Sequence, residues 1–233
     1  DLYYYQQLGQ RLYIAVGDVS DKGVPAALFM AKATSLIQQL LASGGSPVTV
    51  MAALNDALEA GNDNCMFVTL FLGVLDLENL QLEFASAGHC PPSRLRGGKV
   101  EALSQADGPA LGLAPGLEFP ANSIRLQGGD RLAIYTDGID EAFNADAEMF
   151  GVERLNRELA RTTELPAAEA GPEIFRAVDK HAGTTPQSDD ITLLLLEIED
   201  DGAPGQEKRP ATGIRRSFEP DGRLAGRVID WLQ

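Results

Sequence analysis

The chain has 233 residues, which is enough for one large domain or for a domain with an appendage. Hydrophobic residues make up 44% and charged residues 23%, as in globular proteins, so we expect a sizeable core. The net charge of −15 disfavours binding to nucleic acid or to anionic lipid. No uninterrupted run of eighteen apolar residues occurs, so we expect no membrane-spanning helix and no membrane contact from this segment.

Cys65 and Cys90 are the only cysteines, and they form neither a CxxC motif nor a disulfide framework. Because each lies beside an apolar residue or proline, we expect two buried free thiols, in keeping with a cytoplasmic protein. The chain begins Asp-Leu-Tyr without Met or a signal-like stretch, so we expect the natural N-terminus to lie further upstream.

In chain order, the first predicted element is a β-hairpin over residues 3–17. Helices are predicted over 25–42 and 47–60, because each range begins at a proline and ends near glycine. The remaining apolar patterns predict strands at 66–75, 80–87, around 124–126, 131–135 and 191–198, and helices at 152–161 and 168–181. Strands that come in hairpins, with helices grouped between them, indicate an α+β fold.

The last part of the chain differs in composition from the rest. Residues 200–213 are rich in Gly, Pro and charged residues, which predicts a linker. Residues 214–233 have the pattern of a short strand followed by an amphipathic helix. We therefore expect residues 214–233 to begin a second domain.

Aspartates stand at three turns that adjoin predicted strands. These are Asp18 and Asp21 in the segment Gly-Asp-Val-Ser-Asp-Lys-Gly, Asp137 in Tyr-Thr-Asp-Gly, and Asp189 in Ser-Asp-Asp. Carboxylates held at strand ends suit a metal site, and a set without His or Cys favours Mg²⁺ or Mn²⁺. The same short motifs are also typical of ordinary turns, so spacing alone leaves both interpretations open.

Six sequence blocks, in order, extend beyond these turns. They are residues 17–30 (GDVSDKGVPAALFM), 67–71 (FVTLF), 85–92 (ASAGHCPP), 108–113 (GPALGL), 130–142 (with YTDG) and 188–192 (SDDIT). Together they resemble the bacterial branch of the PPM (protein phosphatase 2C) family, which includes stage II sporulation protein E and stress-response phosphatases. The resemblance covers residues 1–199, which we expect to be the phosphatase domain.

The resemblance implies an αββα sandwich, in which two packed antiparallel β-sheets are flanked by helices. It implies that Asp18 bridges two Mn²⁺ or Mg²⁺ ions and that the Val19 carbonyl joins one of them. Asp137 and Asp189 are implied to complete the other ion, and Asp1 to be a ligand close to the site. Asp18, Asp137 and Asp189 would then support metal-activated attack of water on a phosphoserine or phosphothreonine, without a covalent intermediate.

Several positions depart from the commoner family pattern. Asp21 stands where relatives commonly have Gly, and Asp140 where many have a small residue, so each is either a surface variant or an added cation contact. Asp190, where many relatives have Asn, is assigned a supporting role. His89 can be interpreted either as a general acid or as a packed, hydrogen-bonded residue.

In this family branch the usual substrate is a phosphorylated anti-sigma-factor antagonist of the STAS type, and the resemblance implies the same partner here. It also implies an upstream sensor or receiver domain, which we expect to act by repositioning residues 24–42, and it is compatible with a dimer. Residues 214–233 are similar to the start of a GHKL-type anti-sigma kinase.

Two alternative functions stay open at this point. One is a catalytically silent PPM-fold scaffold or binding module, which the retained Asp18, Asp137 and Asp189 disfavour. The other is an interaction module with Ca²⁺ bound at its acidic turns, but the chain has no D-x-[DN]-x-[DN]-G loop.

Overall fold

A computed structural model describes residues 1–199 and the backbone of two short strands at 212–213 and 225–227. The chain divides into two compact units. Unit 1 comprises Asp1–Cys90 and Ser104–Leu126, and unit 2 comprises Pro91–Leu103 and the described part of Gln127–Gln233. Apart from the two short strands, the predicted linker (200–213) and second domain (214–233) lie outside the described residues and stay predictions.

Unit 1 contains a five-stranded antiparallel sheet with the strand order β1-β2-β3-β4-β7. The first two strands form the predicted hairpin. Most residues of β2 and β3 are buried, so neither strand shows a clear alternation of buried and exposed side chains. The strands are β1 (Leu2–Leu8), β2 (Arg11–Val19), β3 (Val68–Asp76), β4 (Gln81–Ala87) and β7 (Asn122–Arg125).

Two helices of unit 1, α1 (Val24–Ala42) and α2 (Pro47–Glu59), complete its core. Both have proline in their first turn, where a backbone N–H is not needed. The Ser46 hydroxyl caps α2 by accepting the Thr49 amide at 3.3 Å. Lys32 of α1 donates to the Leu58 and Ala60 carbonyls at 3.3 and 3.2 Å, so the end of α2 is tied to α1.

Helix α1 is long and apolar enough, by length and composition alone, to cross a membrane, with a mean hydropathy of 1.2. The expectation of no membrane-spanning helix, which rested on the absence of an uninterrupted apolar run, stays a prediction. The helix packs against β1, β2 and α2. Its buried residues recur every three or four positions, as on a core-facing stripe: Ala26, Phe29, Ala33, Ile37 and Leu41.

Unit 2 contains the second sheet, with the strand order β10-β9-β8-β5-β6. Strands β5, β6, β8 and β9 pair antiparallel, and every residue of β8 is buried. Helix α3 packs against β5 and β6, and α4 packs against β9. The elements are β5 (Ser93–Arg96), β6 (Lys99–Ala102), β8 (Arg131–Tyr135), α3 (Gly151–Arg161), α4 (Ala167–Ala182), β9 (Ile191–Ile198), β10 (Thr212–Gly213) and β11 (Ala225–Arg227).

A buried arginine of β8 holds the α3–α4 connection. The Arg131 side chain is 2% exposed and lies 2.6 Å from a Glu197 carboxylate oxygen. Its guanidinium also donates to the carbonyls of Thr162, at 2.9 Å, and Leu165. A buried guanidinium needs such partners, because an unpaired buried charge is strongly unfavourable.

Within residues 1–199 the predicted strands and helices are confirmed, and the structure adds the hairpin of β5 and β6, which the sequence patterns did not predict. The expectation of two buried thiols is wrong for Cys65, which is exposed, and Cys90 is half-buried. Cys65 lies at the end of a turn, where its amide donates to the Asn62 carbonyl at 3.1 Å, so burial of its neighbour Met66 did not indicate burial of the thiol.

Candidate functional site

Asp18 lies near the end of β2, where the first sheet is unusually close-packed. A Cβ atom on Gly17 would lie 2.4 Å from the Thr69 carbonyl oxygen, so only glycine fits directly before Asp18. In the register of β2 with β3, Asp18 is the direct partner of Thr69. Position 18 is therefore fixed by backbone pairing on β3, as a ligand-bearing position on a rigid scaffold should be.

The surroundings of Asp18 include two of the other predicted site residues. Its Oδ1 atom accepts the Val19 amide at 2.8 Å and lies 3.3 Å from the Asp1 amino nitrogen. The Asp18 side chain is 23% exposed, so the carboxylate is accessible from solvent. Unit 1 thus brings Asp1, Asp18 and Val19 together, although the contact of Asp1 with Asp18 is made by its amino group.

Asp137 and Asp189 lie at the same end of the β8–β9 pair in unit 2. The Thr136 amide donates to the Thr192 carbonyl at 3.1 Å, and the Thr192 amide donates to the Thr136 hydroxyl at 3.0 Å. Asp137 follows the first of these threonines and Asp189 precedes the second. Strand pairing therefore places the two predicted ligands on adjacent turns.

A close backbone approach fixes the two turns against each other. A Cβ atom on Gly138 would lie 2.0 Å from the Asp190 carbonyl oxygen, a separation that two such atoms cannot adopt. Asp189 Oδ1 in turn accepts the Asp190 amide at 2.9 Å. The main chain of Asp190 therefore contacts both turns, and its supporting role stays a prediction.

Negative charge is concentrated around Asp137. The pKa of Asp140 is raised to about 6, mainly by burial and to a smaller extent by the carboxylates of Asp137 and Glu141, against the lowering effect of a backbone hydrogen bond. Asp140 Oδ1 is buried without a hydrogen-bond partner among the described residues. Asp140 is thus half-buried beside a predicted metal ligand, and a nearby divalent cation would relieve the repulsion.

The two remaining candidates have non-catalytic surroundings in the described structure. Asp21 is exposed with a φ of 67°, as a surface turn residue. His89 is 4% exposed, and its Nδ1 atom lies 3.3 Å from the Thr69 hydroxyl oxygen, which favours the packed, hydrogen-bonded interpretation over a general acid.

The predicted ligands form two sets, one in each unit. Across residues 1–199, no group of three or more His, Cys, Asp or Glu side chains is arranged to hold a metal ion by itself. The available donors are carboxylate oxygens and a main-chain carbonyl, which fit hard ions such as Mg²⁺ and Mn²⁺. Asp140 Oδ1, which has no hydrogen-bond partner among the described residues, and the nearby carboxylates of Asp137 and Glu141 are consistent with binding of such a cation.

Comparison with known proteins identifies relatives over most of the chain. The family model described as Stage II sporulation protein E (SpoIIE) matches residues 9–199. The phosphoserine phosphatase RsbU of Bacillus subtilis is 30% identical over 143 residues, which are 60% of this chain and 42% of that protein. The chain spans a third to a half of the length of the curated relatives it matches.

Solved structures show the same fold. The SiaA-PP2C domain of Pseudomonas aeruginosa has a TM-score of 0.75 at 24% identity, with 84% of this chain and 79% of that chain covered. RsbX in complex with magnesium has a TM-score of 0.59 at 17% identity, with 83% and 84% covered. These similarities confirm the α+β sandwich class that the sequence resemblance implies.

Proposed function

The chain belongs to the stage II sporulation protein E (SpoIIE) family of PP2C-type Ser/Thr phosphatases, and from this premise we propose that it removes phosphate from a partner protein in a divalent-metal-dependent reaction. The observation that carries this proposal is the placement of Asp18, Asp137 and Asp189 at strand ends fixed by close backbone contacts. A scaffold without activity would not need carboxylates held in this way.

In this proposal each carboxylate has a defined task. Asp18 would contact both ions, the Val19 carbonyl would join one of them, and Asp137 and Asp189 would hold the other. Mn²⁺ or Mg²⁺ held there would lower the pKa of a bound water and neutralise charge on the phosphoryl oxygens. The crystallisation of RsbX with magnesium supports a metal-dependent family, and the identity of the ions in this chain belongs to the proposal.

The relatives support the proposed substrate class. RsbU is a phosphoserine phosphatase, and we extend that activity to a phosphorylated anti-sigma-factor antagonist of the STAS type as the partner of this chain. An upstream sensor or receiver domain would control the activity in the cytoplasm, with residues 24–42 as the segment that responds. A dimer of the full-length protein is part of the same proposal.

The direct test is hydrolysis of p-nitrophenyl phosphate and of a phosphoserine protein, in Mn²⁺ and in EDTA. We expect activity in Mn²⁺ only, and a loss on the order of 1,000-fold in Asp18→Asn, because charge stabilisation by metal supplies several kcal/mol. Asp21→Asn is a matched control, because it makes the same chemical change in the same segment at an exposed position where Asn tolerates the positive φ. It should retain activity within about twofold.

Two results would contradict the proposal. The wild-type protein could be inactive towards both substrates in Mn²⁺, which would favour the silent scaffold. Alternatively, Asp18→Asn could retain the full metal-dependent rate, which would remove Asp18 from the metal centre.

A further inference from the structure

A threonine that lies beside Asp18 on the sheet of unit 1 contacts a histidine. Thr69 is the direct cross-strand partner of Asp18, so the two side chains project from the same face of the sheet with Cβ atoms about 4.5–5.5 Å apart. His89 follows β4 and contacts the Thr69 hydroxyl oxygen through Nδ1 at 3.3 Å. Thr69 is therefore the cross-strand neighbour of Asp18 and also contacts His89.

The position of His89 is fixed by its own polar contacts. Its amide donates to the Ser86 hydroxyl at 3.4 Å, and its carbonyl accepts the Gln105 side-chain amide at 3.2 Å. Gln105 also donates to the Ser86 hydroxyl at 3.2 Å. Gly88, directly before His89, has a φ of 66°, which turns the chain sharply at this point. The imidazole is thus held against Thr69 on a rigid support.

The chemistry of these three residues explains why a buried imidazole would be kept there. A threonine hydroxyl has one hydrogen to donate and two lone pairs to accept. When His89 Nδ1 donates to Thr69 Oγ1, the hydroxyl hydrogen is directed away from the imidazole and can be given to a neighbouring acceptor. Asp18, whose Oδ1 already accepts the Val19 amide, is the acceptor that strand pairing places beside it.

We propose that His89 acts through Thr69 as a positioning pair, which fixes the orientation of the Asp18 carboxylate for metal binding. The inference rests on the proposed function, because it assigns these residues to the support of a metal ligand. Neither residue would touch substrate or ion. Hydrogen-bond partners that orient a metal ligand typically account for about 10- to 100-fold in metal affinity.

The test is Mn²⁺ binding measured by isothermal titration calorimetry and by the EPR spectrum of bound Mn²⁺, on the full chain. Thr69→Val keeps the shape of the side chain and removes the hydroxyl, and we expect it to raise the Kd for Mn²⁺ by about 10- to 100-fold. Thr69→Ser restores the hydroxyl and should bind within about threefold of wild type. His89→Leu should match Thr69→Val, whereas His89→Asn, which keeps a donor near the Nδ1 position, should recover part of the affinity.

The double variant Thr69→Val/His89→Leu should bind Mn²⁺ no more weakly than the worse single variant, because the two residues act as one unit. Thermal unfolding in EDTA verifies that each variant is folded, and if His89→Leu is not, the two Thr69 variants carry the test alone. Wild-type Mn²⁺ affinity and an unchanged EPR spectrum in Thr69→Val would overturn the inference while leaving the proposed function intact. A wild-type protein that neither binds Mn²⁺ nor hydrolyses phosphate would instead overturn the proposed function and, with it, this inference.

Discussion

Gly138 is the position at which one added methyl group should separate the predicted ligands of unit 2. A Cβ atom there would lie 2.0 Å from the Asp190 carbonyl oxygen and 3.0 Å from the carbonyl carbon. Both are backbone atoms, which cannot rotate away as a flexible side chain would. Since Cβ contacts under 3.0 Å are essentially never observed, the turns that carry Asp137 and Asp189 must move apart by about 1 Å.

The expected cost of Gly138→Ala has two parts. Overpacking of a well-packed contact lowers the free energy of unfolding by roughly 1–3 kcal/mol. Displacement of a catalytic group by 1 Å costs about 100-fold in rate. We therefore expect a small decrease in Tm and a much larger decrease in Mn²⁺-dependent hydrolysis of p-nitrophenyl phosphate.

Gly171→Ala provides a matched control for that prediction. Gly171 lies within α4, and a Cβ atom there would have no neighbour within 4 Å. Because Pro172 follows and disfavours the helical conformation of a residue with a Cβ atom, we expect this change to alter stability by at most about 1 kcal/mol and to leave the rate unchanged. Wild-type turnover in Gly138→Ala, with the control behaving as expected, would refute the tight coupling of the two turns.

Three further predictions concern charge and capping. In EDTA, Asp140→Asn should stabilise the protein by about 1 kcal/mol above pH 6, once solvent screening is allowed for. The folded protein raises the pKa of Asp140 from 3.8 to about 6, so the charged carboxylate opposes folding. The stabilisation by Asn should therefore shrink as pH falls from 6 and be absent below pH 3.8. Equal stabilisation at pH 3.5 and pH 7 would contradict this prediction. Arg131→Met should lower the free energy of unfolding by roughly 3 kcal/mol, because Glu197 and two carbonyls lose their partner, and an unchanged urea midpoint would contradict it. Lys32→Met should cost about 1 kcal/mol by freeing the carbonyls at the end of α2, measured by the same urea titration, in which Lys99→Met at an exposed position is the comparison.

The long elements could be predicted from sequence because the periodicity of their apolar residues agrees with the proline and glycine signals at their ends. Helices α1 and α2 begin at prolines and end near glycines, and both appear within one or two residues of the predicted ranges. The hairpin of β5 and β6 was not predicted, because its strands are four residues long and rich in charged side chains. Its turn residues, Gly97 and Gly98, both with positive φ, were the available signal for a two-residue hairpin turn.

The site could be predicted only in part. The turn motifs indicated which carboxylates matter, but the sequence spacing of Asp137 and Asp189 contains no information about their proximity. That proximity depends on the register of β8 with β9 and on the contact of Gly138 with the Asp190 carbonyl. The pairing of Asp18 with Thr69, and the contact of Thr69 with His89, likewise depend on strand register, which no local pattern specifies.

The most direct measurement is the anomalous scattering of Mn²⁺ in crystals of the protein grown with that ion. If two ions share Asp18, we expect two anomalous peaks that both contact its carboxylate. One ion should also contact the Val19 carbonyl, and the other should contact Asp137 and Asp189. Peaks that avoid Asp18, or side chains at positions 18, 137 and 189 that share no ion, would contradict a metal centre built from these three aspartates.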